Sequence, residues 1–241
     1  MSAAALASLI LERQPCVVLT GAGVSTESGI PDFRSASGIW ADVDPFEVAS
    51  VQAFRRDPAR VWGFYRTRIG LLRDAEPNAA HFALAELEAR GLVEAVITQN
   101  IDTLHTRAGS KEVVEVHGSI RSAQCVRCLW TEPADAVLAQ LEDGSLPMCP
   151  HCGDVLKPGV VLFGELLPAG PMERATHLAR GARLVLVVGS SLEVWPAAGL
   201  PLEAQAFAIV NRGSTALDHQ AILKIDAAAG ETLAAVTGAL R

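Results

Sequence analysis

Six short runs of aliphatic and β-branched residues recur along the chain: CVVLT (16–20), VEAVITQN (93–100), VVEVHG (113–118), RLVLVVGSS (183–191), AFAIVN (206–211) and AILKID (221–226). A strand that is apolar at nearly every position must be covered on both faces, which only a parallel sheet between helices provides. Helical patterns lie between some of these runs. NAAHFALAELEARG (78–91) closes on a glycine, PMERATHLARGA occupies 171–182, and the opening MSAAALASLILERQP reads as an amphipathic helix ending near Pro15. This alternation implies an α/β fold, a Rossmann-like doubly wound parallel sheet, whose ligands sit beyond the carboxyl ends of the strands.

Four of the runs end in small or polar groups: TGAG, TQNID, VGSS and VNRG. They mark the expected rim of a binding crevice. Residues 119–157 break the α/β rhythm and carry four paired cysteines, so they read as an inserted module. Residues 31–77 are irregular and contain proline and aromatic residues, as expected of a helical flap over the crevice. The Rossmann-like part is then about 1–30, 78–118 and 158–241 of a single catalytic domain.

CVRC (Cys125, Cys128) and CPHC (Cys149, Cys152) each present two thiolates from one turn. Residues 129–148 between them let the two turns close a tetrahedron around one Zn²⁺. A full thiolate shell leaves no open position, so the ion is expected to be structural. His151 reads as a solvated turn residue and Cys16 as a small core hydrophobe. With 20 Lys plus Arg against 27 Asp plus Glu, the net charge of −7 argues against nucleic acid and anionic membranes as partners. No run reaches the roughly 18 apolar residues of a membrane span, and no basic leader opens the chain. The expectation is a cytoplasmic monomer.

The first loop, GAGVSTESG, departs from the dinucleotide fingerprint, because Thr26 stands where a third glycine would. Gly21 and Gly23 still permit close backbone approach to a phosphate, and a helix starting near Ser25 could offer its N–H groups. By itself the loop reads first as a tight strand-to-helix turn.

The order of the remaining motifs is more specific. SGIPDFRS followed by GIW, then TQNIDTLHTRAG (98–109), EVHGS (115–119), KPGVVLFGE (157–165) and VVGSSLEVWPAA (187–198) flank the cysteine module. Together they resemble the sirtuin family of NAD-dependent protein-lysine deacylases, over about residues 16 to 230. The resemblance implies NAD as co-substrate, cradled by Gly21, Ala22, Gly23 and Ser25. Asp32, Phe33, Arg34 and Trp40 match the part over the nicotinamide ribose. Gln99, Asn100, Ile101 and Asp102 match the motif that positions ribose and nicotinamide, with Asn100 and Asp102 close to the chemistry. Gly189, Ser190, Ser191, Asn211 and Ala229 match the phosphate and adenosine end, and His117 the catalytic base. GVVLFGE and GSSLEVWP are expected to flank an acyl-lysine peptide bound as an added strand, with Val161 and Phe163 lining the acyl channel. Thr103 stands where glycine or another residue is commoner in the family.

Tyr65 and Arg68 share one face of a helix in VWGFYRTRIG. A guanidinium beside a phenol suits an acyl chain ending in a carboxylate, and the pair is similar to the sirtuin branch that removes succinyl and malonyl groups. Asp32 stands where that branch carries Thr, as in ordinary deacetylases. The expected activity is removal of acetyl groups, and of succinyl or malonyl groups, from lysine. Mono-ADP-ribosyl transfer and a non-catalytic NAD or ADP-ribose sensor are the alternatives; His117 and the peptide-strand motifs favour deacylation.

Overall fold

The computed structural model describes residues 2–33 and 38–240. In chain order the strands are β1 (Cys16–Thr20), β2 (Ala95–Thr98), β3 (Val113–Glu115), β4 (Gly118–Cys125), β5 (Thr131–Pro133), β6 (Leu156–Val160), β7 (Leu184–Val188), β8 (Phe207–Val210) and β9 (Leu223–Ile225). All six apolar runs of the sequence become the strands of one parallel sheet, in the order β3-β2-β1-β7-β8-β9. Its two faces separate by the strand period of two. Cys16, Val18, Leu184 and Leu186 pack in one core, Val17, Leu19, Val185 and Val187 in the other.

The helices are α1 (Ala3–Glu12), α2 (Pro45–Val48), α3 (Val51–Arg56), α4 (Pro58–Asp74), α5 (Ala79–Ala89), α6 (Leu104–Arg107), α7 (Ala134–Glu142), α8 (Ala169–Gly181) and α9 (Ala229–Ala239). Leu6 and Ile10 of α1, Leu84 and Leu87 of α5, and Leu233 and Val236 of α9 cover the first face; Leu178 of α8 and Leu200 cover the second. Asn78 caps α5 by accepting from the Ala80 N–H, and Gly91 beyond its end sits at φ +70°. No described helix is long and apolar enough to cross a membrane.

A third core belongs to neither face of this sheet. β5, β4 and β6 form a small antiparallel sheet. Its Ile120, Ala123 and Leu156 pack with Trp62, Tyr65 and Ile69 of α4, and Trp62 Nε1 donates to the Leu156 carbonyl at 2.7 Å. The expected flap and the expected cysteine module therefore share one hydrophobic core as a second lobe. An isolated bridge between Ser50 and Phe163 ties the helical part to the end of β6.

Sheet order places the site. From β1 the chain builds outward through β2 and β3 on one side, then returns to lay β7, β8 and β9 on the other. The switch falls between β1 and β7, where doubly wound sheets open their ligand crevice.

Candidate active site

A cavity of about 1000 Å³ lies over this switch point, between the sheet's carboxyl edge and the second lobe. Its floor is two loops in backbone contact. Gly21 N–H donates to the Val188 carbonyl at 3.2 Å and Gly23 N–H to the Gly189 carbonyl at 2.8 Å. A Cβ on Gly21 would lie 2.9 Å from the Gly189 oxygen, and one on Gly23 2.8 Å from it. Gly189 itself has φ +62°, and a Cβ there would meet Val24 N at 2.1 Å. These glycines are required by each other's loops, a reason distinct from the expected approach to a phosphate. The segment after Gly21 is a 3₁₀ helix over Ala22–Ser28, not an α-helix from Ser25, and Gly29 in the left-handed region ends it.

Ser25 is the hub of the buried polar layer. Its hydroxyl donates to Asp102 Oδ2 at 2.7 Å and accepts from Asn100 Nδ2 at 3.1 Å, while His81 Nε2 lies 3.4 Å away. Asn100 Nδ2 also donates to the Gly21 carbonyl, and Asp102 Oδ1 accepts the Leu104 N–H. Asn100 and Asp102 thus fasten the Gln99–Asp102 strand end to the glycine loop. Because His81 Nδ1 accepts the Asn78 N–H at 3.2 Å, its proton sits on Nε2, facing Ser25. Burial pushes the His81 pKa down to about 4 against the opposing pull of Asp102 and Glu27. Its neighbour His105, with ring centroids 4.8 Å apart, is pushed down to about 3 by burial and by His81. His105 Nε2 pairs with Thr20 Oγ1 at 3.0 Å, whose hydroxyl donates to Thr98 Oγ1, and His105 Nδ1 is buried without a partner among the described residues.

His117 is differently placed. Its Nδ1 lies 3.0 Å from the Gln99 carbonyl, an acceptor that fixes the proton on Nδ1 and leaves the Nε2 lone pair available. Burial lowers its pKa, with the Gln99 bond opposing, so the ring is a neutral base at neutral pH. Gln99 Nε2 donates to Ser190 Oγ at 3.0 Å, linking the ends of β2 and β7.

The second lobe supplies an aromatic and cationic wall. Phe33 stacks on Trp40 at 5.5 Å, Trp40 on Phe64 at 5.8 Å, and the Arg68 guanidinium lies 3.6 Å over the Phe64 ring. Arg68 Nε is buried without a hydrogen-bond partner among the described residues. Tyr65 is buried beside it, its phenol held well above the ordinary range chiefly by burial. Tyr65, Arg68, Val161 and Phe163 all line the cavity, as do Asp32, Ile101, Ser191 and Asn211. The Ile39 N–H donates to the Asp32 carbonyl at 2.8 Å and the Trp40 N–H to the Phe33 carbonyl at 3.1 Å. Arg34 lies outside the described residues. Ala229 does not line the cavity: it opens α9 and packs in the first core.

A protein-family model described as the Sir2 family matches residues 21–196. The chain belongs to the Sir2 family. An NAD-dependent protein deacetylase of Sulfurisphaera tokodaii is 47% identical over 215 residues, covering 88% of this chain and 85% of the relative. An NAD-dependent protein deacylase of Thermococcus sibiricus is 48% identical over 196 residues, covering 80% and 77%. A structure of Sir2 with a p53 peptide and NAD⁺ superposes with a TM-score of 0.90 at 40% identity, covering 99% of this chain and 98% of that one.

In this Sir2-family chain the four paired cysteines come together away from the cavity. Their sulfurs all lie within 4.8 Å of one another, with Cys125–Cys152 and Cys128–Cys149 both at 3.5 Å. A tetrahedral Zn²⁺ with bonds of about 2.3 Å separates its sulfurs by about 3.8 Å, so the cluster fits one zinc ion with no open position. Cys125 Sγ also accepts the N–H groups of Arg127 and Cys128, which suits a ligating thiolate. His151 is exposed and stacks on Trp130, and Cys16 is fully buried in the sheet core, its thiol pushed up to about 12 by burial.

The motif reading passed over His81 and His105. Within NAAHFALAELEARG, His81 shares the buried face with Leu84 and Leu87, a polar residue on an apolar stripe, and that was the available signal. Thr103 explains its unusual place: it sits at φ +65°, a conformation that costs a β-branched residue roughly 1–2 kcal/mol, between the two residues that meet Ser25 and the start of α6.

Proposed function

We propose that the protein removes acyl groups from lysine side chains of proteins, consuming NAD and yielding nicotinamide and O-acyl-ADP-ribose. The observation that carries this reading is His117, a neutral imidazole with Nδ1 anchored to Gln99 and Nε2 free, in a cavity where the first-loop glycines, Asn100 and Ser190 meet. NAD along Gly21–Gly23, Ser190, Ser191 and Asn211 would bring its nicotinamide ribose toward Asn100 and His117. The acyl-amide oxygen of the substrate, aligned by Val161 and Phe163, attacks C1′ of that ribose as nicotinamide leaves. The amide is a weak nucleophile, so alignment and exclusion of water behind Phe33 and Trp40 supply much of the rate. His117 Nε2 then takes the proton of the ribose hydroxyl that captures the acyl carbon; that carbon expels the lysine amine, which leaves with a proton, and one water enters to give O-acyl-ADP-ribose. Asn100 and Asp102 serve this by holding the loop against the strand end, with Asn100 Oδ1 left for the carboxamide.

We further propose that the acyl range includes succinyl and malonyl groups. Arg68 has no carboxylate partner among the described residues, its Nε is buried unpaired, and Tyr65 stays a protonated donor beside it. A terminal carboxylate on the acyl chain would satisfy both. Mass spectrometry of paired acetyl-lysine and succinyl-lysine peptides, with and without NAD, tests the reaction. Arg68→Met is expected to lower desuccinylation about 10- to 100-fold, as for a lost charged hydrogen bond, while deacetylation persists. An unchanged ratio of the two activities would remove Arg68 from acyl selection.

A further inference from the structure

We propose that Lys157 is a positioning residue of the acyl-peptide channel, locking the peptide group between Val160 and Val161 to the catalytic-histidine loop. The inference rests on the deacylase reading above. Lys157 lies in β6 and is 7% exposed. Its ammonium has three N–H groups and three acceptors: the Val160 carbonyl at 2.8 Å, Glu165 Oε2 at 3.1 Å and the Pro158 carbonyl at 3.2 Å. The peptide group whose oxygen takes the shortest of these bonds donates, through the Val161 N–H, to the His117 carbonyl at 2.9 Å. Lys157 therefore stands at the end of a chain of polarised bonds that leads to the backbone of the base.

The same ammonium organises the far side of the channel. Glu165 Oε2, held by Lys157, accepts the Leu162 N–H at 2.8 Å, and Phe163 exchanges main-chain bonds with Ala49 and Val51. Successive residues of the wall are thus tied in turn to the histidine loop, to the Lys157–Glu165 pair and to the helical part of the second lobe. The crossing admits little slack: Gly118 has φ +76°, and a Cβ there would lie 2.3 Å from the Gly159 oxygen. A buried ion pair is commonly no more stabilising than an apolar pair of the same size. What a fully bonded ammonium adds here is a fixed backbone path for Val161 and Phe163.

The test compares wild type, Lys157→Met, the charge-neutral double variant K157M/E165Q, and Lys157→Arg. Anisotropy of a labelled acetyl-lysine peptide gives its Kd, calorimetry gives the Kd for NAD, and steady-state kinetics give kcat and KM. Both Met variants are expected to raise peptide Kd and KM about 10- to 100-fold, as for lost charged hydrogen bonds, with NAD affinity and zinc content unchanged. Lys157→Arg, which keeps a charged donor, should recover most of the peptide affinity. The double variant leaves no unpaired carboxylate, so it keeps the test open if K157M alone does not fold. Peptide affinity at the wild-type level in the folded double variant, or an equal loss of peptide and NAD affinity, would overturn the positioning role. A wild-type protein that neither binds nor consumes the acetylated peptide would overturn the deacylase reading, and this inference with it.

Discussion

Lowering the pH from 7 to 5 should destabilise the protein through two buried imidazoles that do not line the cavity. His81 and His105 titrate in the folded chain at about 4 and about 3, well below the ordinary value of 6.5. Between those values the unfolded chain takes up protons that the folded one refuses, so stability falls as the pH drops below about 6.5. At pH 5 each ring lies about 1.5 units below its unfolded pKa while still above its folded one. At about 1.4 kcal/mol per unit, each costs about 2 kcal/mol and the two together about 4 kcal/mol.

The groups facing the pair set these shifts. Asp102 and Glu27 favour the charged form of His81, but burial outweighs them, and His81 opposes the protonation of His105. Protonation would also put a second N–H on His81 where Nδ1 now caps α5 through Asn78, and a donor with no acceptor at His105 Nδ1. Glu115, raised by burial, works in the opposite direction at low pH, so the informative quantity is a difference between proteins. Urea unfolding at pH 7, 6 and 5 supplies it, for wild type and His105→Gln, whose amide can still donate to Thr20. The variant should lose about 2 kcal/mol less than wild type between pH 7 and pH 5. Equal losses, within the roughly 0.5 kcal/mol scatter of neutral substitutions, would mean that His105 is not a buried neutral ring and refute the reasoning.

Chelation of the metal should release one zinc ion per chain, counted with a chromogenic chelator, and collapse the β5-β4-β6 sheet together with deacylation, since His117 immediately precedes β4; full activity in zinc-free protein would contradict the shared core. Gly189→Ala should weaken NAD binding at least about tenfold, because its Cβ would intrude on Val24 and its φ is positive, with zinc content as the control; unaltered NAD affinity would show that the β1 and β7 loops separate without consequence.

The parallel sheet was legible because its signal is local. Each of the six strands is apolar on both faces, so a run such as LVLVV (184–188) admits few other readings. The polar strand ends were legible for the same reason, since TQNID and VGSS interrupt apolar runs abruptly. Distant pairings were not. Trp62 meets the Leu156 carbonyl across 94 residues of sequence, and nothing local in VWGFYRTRIG says that the flap and the cysteine module share a core. Lys157 was hidden in the same way: the sequence shows a lysine and a glutamate at the two ends of KPGVVLFGE, and only the turn at Gly164 folds one onto the other. The packing reason for the glycines was hidden too, because the backbone that crowds Gly21 and Gly23 arrives with residue 189.

Three imidazoles stand around one strand-end motif, and burial divides their tasks. His81 and His105 lie deep, each with Nε2 directed at a hydroxyl, and their depressed pKa values keep them neutral donors that brace Ser25 and Thr20. His117 alone of the three lines the cavity, with its Nδ1 held by the main chain. A base in either buried place would reach no substrate, and a bracing residue in place of His117 would have no buried hydroxyl to hold. Sequence identity at the three positions is the same; the fold leaves one of them half-buried at the cavity with its Nδ1 on the main chain and buries the other two against hydroxyls.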